Sequence, residues 1–158
     1  MARELLIVWA GRHRRSAWDD LCAGYRRRIA RVLPVRDLPV RSRRAGQGRE
    51  RRRAEGEALL GALPRPCFTV ALDRGGELAS SEELARRFAR RRREWPHAMA
   101  FVVGSDLGLD PAVLEAARER WSLGPLTLPH ELARLVLYEQ LYRALSIEAG
   151  IDYHRPSL

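Results

Sequence analysis

A single α/β domain, with a mainly parallel sheet and helices on both faces, is the fold class this sequence predicts. Three observations carry that reading. Apolar strand-like runs alternate with amphipathic segments from one end to the other. No internal repeat or long linker interrupts the 158 residues. An apolar content of 46% at that length is enough for one sizeable core without disulfide or metal staples.

The first strand is Leu5-Leu6-Ile7-Val8-Trp9, ending at Gly11 and the loop Arg12-His13-Arg14-Arg15. Ser16-Ala17-Trp18-Asp19 reads as a capping box, and Trp18, Leu21, Cys22, Tyr25 and Ile29 follow at helical spacing. A weaker strand near residues 33–40 is interrupted by Pro34 and Pro39, which reads as a sheet edge or a short strand. Residues 41–53 carry Arg41, Arg43, Arg44, Arg49, Arg51, Arg52 and Arg53 around Gly46 and Gly48 and read as a loop entering a charged helix, serving either as a solvated face or as an RNA-phosphate contact. Leu59, Leu60 and Leu63 close that helix on the core. The third strand, residues 67–72, runs into Asp73-Arg74-Gly75-Gly76, read as a tight turn at the carboxyl edge where open α/β sheets bind ligands. Ser80-Ser81-Glu82-Glu83 caps a helix with Leu84, Ala85 and Phe88 inward and Arg86, Arg87 and residues 90–93 outward. The fourth strand, residues 98–103, stops at Gly104, and Asp110-Pro111 opens a helix running to about Arg118.

Charge narrows the partners. The formal net charge is +9, and all 29 basic residues are arginine. Such a surface favours phosphate, and guanidinium forks contact it bidentately. Complete replacement of lysine, alongside abundant Ala, Leu and Gly, is also what genomic base composition produces, so the sign of the charge carries more weight than the choice of arginine. Cys22 and Cys67 have no C-x-x-C or histidine neighbours, which leaves no zinc ligand set and predicts reduced core thiols. No apolar run approaches the roughly 18 residues that span a bilayer. The N-terminus reaches Glu4 before a signal-like stretch develops, so the sequence predicts a cytoplasmic protein with no membrane partner.

Three segments carry candidate chemistry. Gly104-Ser105-Asp106-Leu107-Gly108 directly follows a buried strand; such a turn is either plain connectivity or a place where backbone approaches a ligand. It lacks the G-x-G-x-x-G spacing of dinucleotide folds, and with no lysine anywhere the chain has no Walker motif. Trp121-Ser122-Leu123-Gly124-Pro125-Leu126-Thr127-Leu128-Pro129-His130 is too proline-bounded for a helix and too apolar for an idle loop, so it should line something. From Glu131 the last helix sets an apolar stripe of Leu132, Leu135, Val136, Leu141, Tyr142 and Leu145 beside the polar Arg134, Glu139 and Arg143. The apolar total on this helix exceeds one buried stripe and calls for a homodimer partner. The terminus then places Tyr153, His154 and Arg155 together.

At these residues the sequence resembles the SPOUT methyltransferases, and within them the branch that methylates N3 of a pseudouridine in 23S ribosomal RNA. The resemblance spans essentially the whole chain. It is strongest in Leu72-Asp73 with Ser80-Ser81-Glu82-Glu83, the Gly104 turn, Leu126-Thr127-Leu128-Pro129-His130, Glu139-Gln140-Leu141-Tyr142-Arg143-Ala144 and Tyr153-His154-Arg155. It implies one SPOUT domain with a C-terminal trefoil knot, a homodimer, and S-adenosyl-L-methionine held by Leu72, Gly104, Ser105, Gly108, Leu123, Gly124, Pro125, Leu126, Thr127 and Leu128. Here the family has a second glycine where this chain has Ser105, whose hydroxyl is free in sequence terms to bond the cofactor.

Methyl transfer is an in-line displacement needing positioning rather than a metal, together with a base or cations to handle the acceptor proton. Tyr153, His154, Arg155, Arg143 and His130 are the candidates, with His130 equally readable as a capping residue. The competing function is a non-catalytic arginine-rich RNA-binding module acting on ribosomal RNA. Saturable cofactor binding separates the two.

Overall fold

The computed structural model describes residues 1–13, 16–42 and 46–156. Arg14 and Arg15 of the first loop, and Arg43 and Arg44 of the basic segment, lie outside the described residues. The elements are β1 (Leu5–Ala10), α1 (Ala17–Ile29), β2 (Val35–Val40), α2 (Gly48–Gly61), β3 (Cys67–Glu77), α3 (Ser81–Glu94), β4 (Ala98–Val103), α4 (Pro111–Ala116), β5 (Glu119–Trp121) and α5 (His130–Ala149). The sheet order is β2-β1-β4-β3-β5, and every paired strand is parallel.

Both faces of the sheet are covered, as the fold class requires. Because side chains alternate along a strand, Leu5, Ile7 and Trp9 enter the core beneath α1, α3 and α5, whereas Leu6, Val8 and Ala10 enter the one beneath α2 and α4. β1 and β4 are buried at every position, which explains their unbroken apolar sequences. Caps act where the sequence places them. Ser16 accepts from the Asp19 amide, Ser80 and Glu83 close a reciprocal capping box, and Asp110 accepts from the Ala112 amide ahead of Pro111.

Several expectations are corrected. Asp73-Arg74-Gly75-Gly76 does not end β3: the segment buckles out of the ladder and the strand resumes, so that Leu72 and Glu77 both pair with Trp121. A Cβ at Gly76 would lie 2.8 Å from the Arg120 backbone, so glycine serves close strand approach rather than a reverse turn. The helix after Asp110 stops at Ala116, and the next residues form β5 instead. Leu21 is 51% exposed rather than inward. Arg92 is buried, because its Nη1 reaches Glu148 at 2.6 Å on α5 and its guanidinium lies over Phe88. Along α5 the buried stripe is Arg134, Leu137, Tyr138, Leu141, Ala144 and Leu145, while Leu132, Leu135, Val136 and Tyr142 are only partly covered. Cys22 is buried and its thiol is pushed up to about 11 by that burial; Cys67 is only partly covered. Among the described residues no helix is long and apolar enough to cross a membrane.

Candidate cofactor cleft and terminal cluster

A cleft of about 380 Å³ opens at the carboxyl edge of β3 and β4. Three separate chain segments build it. Leu72, Asp73 and Arg74 come from the buckle in β3, residues 103–109 from the turn after β4, and Leu123, Gly124, Leu126, Thr127 and Leu128 from the link into α5, whose His130 and Ala133 close the rim. Thus nine of the ten cofactor residues named from the sequence line one concavity; Pro125 is exposed and outside the lining. His130, assigned to proton chemistry, also lies here.

Local geometry explains the glycines that matter. A Cβ on Gly104 would sit 2.8 Å from the carbonyl carbon and oxygen of Gly108, so the residue is small because the turn folds onto its own backbone. Gly124 holds φ at +127°, a conformation few side chains tolerate, and Leu126 beyond it is 75% exposed on the cleft wall.

The Ser105 hydroxyl already has a protein partner for its proton. It donates to Glu55 of α2 at 2.7 Å, and Arg51 bridges from Glu55, at 3.1 Å, to Asp106, at 2.6 Å. Burial opposes ionisation of Asp106, but the Arg51 guanidinium outweighs it and holds the carboxyl below its usual range. α2 therefore clasps the turn from outside. Thr127 is likewise engaged, accepting from Arg74 at 2.8 Å across the cleft mouth. Asp73, Arg74 and Asp106, which lay in the segments read as a ligand-binding strand edge and a candidate turn but were not named as site residues, also line the cleft.

The terminal residues are docked rather than frayed. The Tyr153 hydroxyl donates to Glu139 at 3.1 Å, its ring meets Tyr142 edge-on, and the Arg143 guanidinium lies over that ring at 4.9 Å. His154 lies between two charges, with Nδ1 3.2 Å from Arg143 and Nε2 2.8 Å from Glu82 of α3. Arginine only donates, so Nδ1 accepts and the proton resides on Nε2, directed at Glu82. Arg155 is exposed. Burial, then Tyr25 and Glu139, push the Tyr153 phenol well above its ordinary value, so it remains a neutral donor.

Glu82 offers a check on this docking. Its own backbone amide, then His154, hold its carboxyl below the reference 4.5, so the stabilisation is full above 4.5 and is lost as pH falls through the depressed folded value. Carboxyl-carbon NMR should give Glu82 a midpoint below 4.5, and His154→Ala should move it up part of the way. An unchanged midpoint in the variant would contradict the docked tail.

The two groups of site residues do not meet within one chain. His130 and Arg143 are thirteen residues apart on α5, which is about 20 Å along a helix axis. The cleft and the terminal cluster therefore occupy different stretches of the same helix.

Comparison with known proteins accords with this layout. The profile of the family described as "Predicted SPOUT methyltransferase" matches residues 4–154. The chain is similar to "Ribosomal RNA large subunit methyltransferase H" of Rubrobacter xylanophilus, 48% identical over 98% of this chain and 99% of that one. It is also similar to the proteins of the same name from Solidesulfovibrio magneticus, 42% identical over 96% and 99%, and Stenotrophomonas maltophilia, 43% identical over 84% and 86%. With a profile match over nearly all of its length, a parallel five-stranded sheet and a strand-end cleft made by the segments that carry the resemblance, the chain belongs to the SPOUT methyltransferase family.

Proposed function

We propose that this protein methylates N3 of a pseudouridine in 23S ribosomal RNA, using S-adenosyl-L-methionine bound in the cleft at the ends of β3 and β4. The observation that carries this reading is the convergence of three chain segments on that one cleft, in the size range of a small-molecule site. The donor set suits a sulfonium nucleoside. Leu72, Leu107, Leu123, Leu126 and Leu128 give apolar walls, the turn at Gly104 and Gly108 gives close backbone, and Asp73 gives negative charge, whereas Asp106 is paired with Arg51. When bound, S-adenosylmethionine supplies an electrophilic methyl group on a positively charged sulfur.

The remaining work falls to the protein. As the nitrogen–carbon bond forms and the carbon–sulfur bond breaks, the N3 proton must leave for a base. His154 is that base through Nδ1, whose lone pair Arg143 occupies until the incoming imide displaces it, with Nε2–H held on Glu82, while Arg143 and Arg155 stabilise charge on the imide. Tyr153 offers a ring against which an unstacked base can lie. Since cleft and terminal cluster are separated on α5, a homodimer in which the tail of one copy completes the cleft of the other is the assembly we propose. The partly covered Leu132 and Val136 suit its interface. We further propose that residues 1–158 form one SPOUT domain threaded as a trefoil knot, and that the enzyme works in the cytoplasm on the large subunit or assembled ribosome.

Calorimetric titration with S-adenosylmethionine tests the reading. Wild type should bind saturably, and Gly104→Val, whose branched side chain collides with the Gly108 backbone, should lose at least about tenfold in affinity, a shift of 1.4 kcal/mol. Absence of saturable binding by wild type would leave a non-catalytic RNA-binding module as the better account. Unchanged affinity in a folded Gly104→Val protein would remove that turn from the site.

A further inference from the structure

A second concavity, of about 650 Å³, lies along the outer side of α3 and has no part in the cofactor cleft. Its floor is short and apolar, made by Ala85, Ala89 and Ile147. Arg86, Arg90 and Arg93 form its wall. These arginines fall four, eight and eleven residues after Glu82, so all four positions share one face of the helix. Glu82 is the residue that holds His154. The arginine stripe therefore begins at the terminal cluster and continues from it for about 16 Å along the helix.

Arg93 meets Glu148 at 3.8 Å, while the charges of Arg86 and Arg90 on this wall are uncompensated. Each carboxylate lining the groove is already engaged: Glu77 by Arg87 at 2.9 Å, Glu148 by Arg92 at 2.6 Å, and Glu83 by the Ser80 amide at 2.8 Å. Glu83 lies close enough to feel Arg86, but among the described residues neither Arg86 nor Arg90 has a carboxylate within 4 Å, and both are exposed. Like charges four residues apart on a helix repel. A regularly spaced polyanion relieves that repulsion, and guanidinium forks match phosphate oxygens bidentately.

We infer that the α3 groove is the track for the sugar-phosphate backbone flanking the target base, with Arg86 and Arg90 as its principal phosphate contacts and Arg93 at its far end. The inference rests on the proposed ribosomal RNA substrate but not on the cofactor. A base presented to Tyr153 and His154 would send its adjoining single strand along the stripe, over a floor low enough to admit the backbone between the guanidinium groups.

The experiment compares two double variants of equal charge loss, Arg86→Gln with Arg90→Gln, and Arg31→Gln with Arg65→Gln, the latter pair being exposed elsewhere on the protein. A fluorescein-labelled single-stranded polyuridine oligonucleotide is the probe, titrated by anisotropy over a range of salt. Loss of two phosphate contacts should weaken binding by about tenfold and reduce the slope of log K against log salt by about 1.4, at roughly 0.7 per contact for single strands. The control pair should change neither appreciably. Equal effects in the two pairs would reduce the stripe to general charge and overturn the inference, as would no effect in either. A change from dimer to monomer in the α3 variant, seen by light scattering, would assign the face to a second copy instead. Failure of the cofactor reading shows separately, as wild type that binds the oligonucleotide but not S-adenosylmethionine.

Discussion

Truncation before Tyr153 is expected to abolish methylation of ribosomal RNA while leaving the S-adenosylmethionine titration essentially unchanged. No residue of the terminal cluster lines the cleft of its own chain, so removing it takes nothing from the cofactor walls. Loss of general-base and positioning contributions lowers turnover by about 10²–10⁴-fold. His154→Ala should reproduce most of that loss, and Tyr153→Phe, which keeps the ring and removes only one of the donors to Glu139, much less. Complementation discriminates further. A truncated chain mixed with a Gly104→Val chain should regain activity, because one composite site then pairs an intact cleft with an intact tail. Normal turnover by the truncated protein would instead send the search for the base to His130 or Glu139.

The sequence revealed local order better than distant pairing. Caps at Ser16, Ser80 and Asp110 are short-range chemistry, and each is found where the residues indicate it. The unbroken apolar runs of β1 and β4 mark strands covered on both faces. By contrast, β5 is the triplet Glu119-Arg120-Trp121, too short and too charged to show a period, and it exists because it pairs with β3. Gly75-Gly76 looks like a turn until Arg120 is known to pass beside it. Arg92 and Arg134 look like surface residues because their partners, Glu148 and Asp37, are 56 and 97 positions away. The segments that line the cleft were legible through resemblance, whereas the clasp of Ser105 and Asp106 by α2 was not: nothing in a periodic pattern brings Glu55 to Ser105.

The largest expected loss of stability is at Arg134, which is only 2% exposed. Its Nη1 donates to Asp19 at 2.9 Å, Nε and Nη2 donate to Asp37 at 3.3 and 3.1 Å, and the guanidinium lies over the Trp9 ring at 4.0 Å. Burial opposes the charge, but Asp37 and Asp19 outweigh it and hold the guanidinium above its usual pKa. Asp37 also accepts from Trp9 Nε1 at 2.8 Å and from the Tyr138 hydroxyl, so one buried carboxylate ties β1, β2 and α5 together. Arg134→Met fills similar volume but leaves Asp37 charged and without its cation, and removal of one partner from a buried pair costs about 3–5 kcal/mol. Lysine should rescue little of this, since an ammonium cannot reach both carboxylates and lie flat on Trp9 at once. α5 carries His130 at the cleft and Arg143 at the terminal cluster, so a helix loosened at Arg134 should also bind S-adenosylmethionine more weakly. Urea unfolding of Arg134→Met within about 1 kcal/mol of wild type, below the loss expected for a broken buried pair, would show that packing along Leu137, Leu141 and Leu145 holds α5 without the ion cluster.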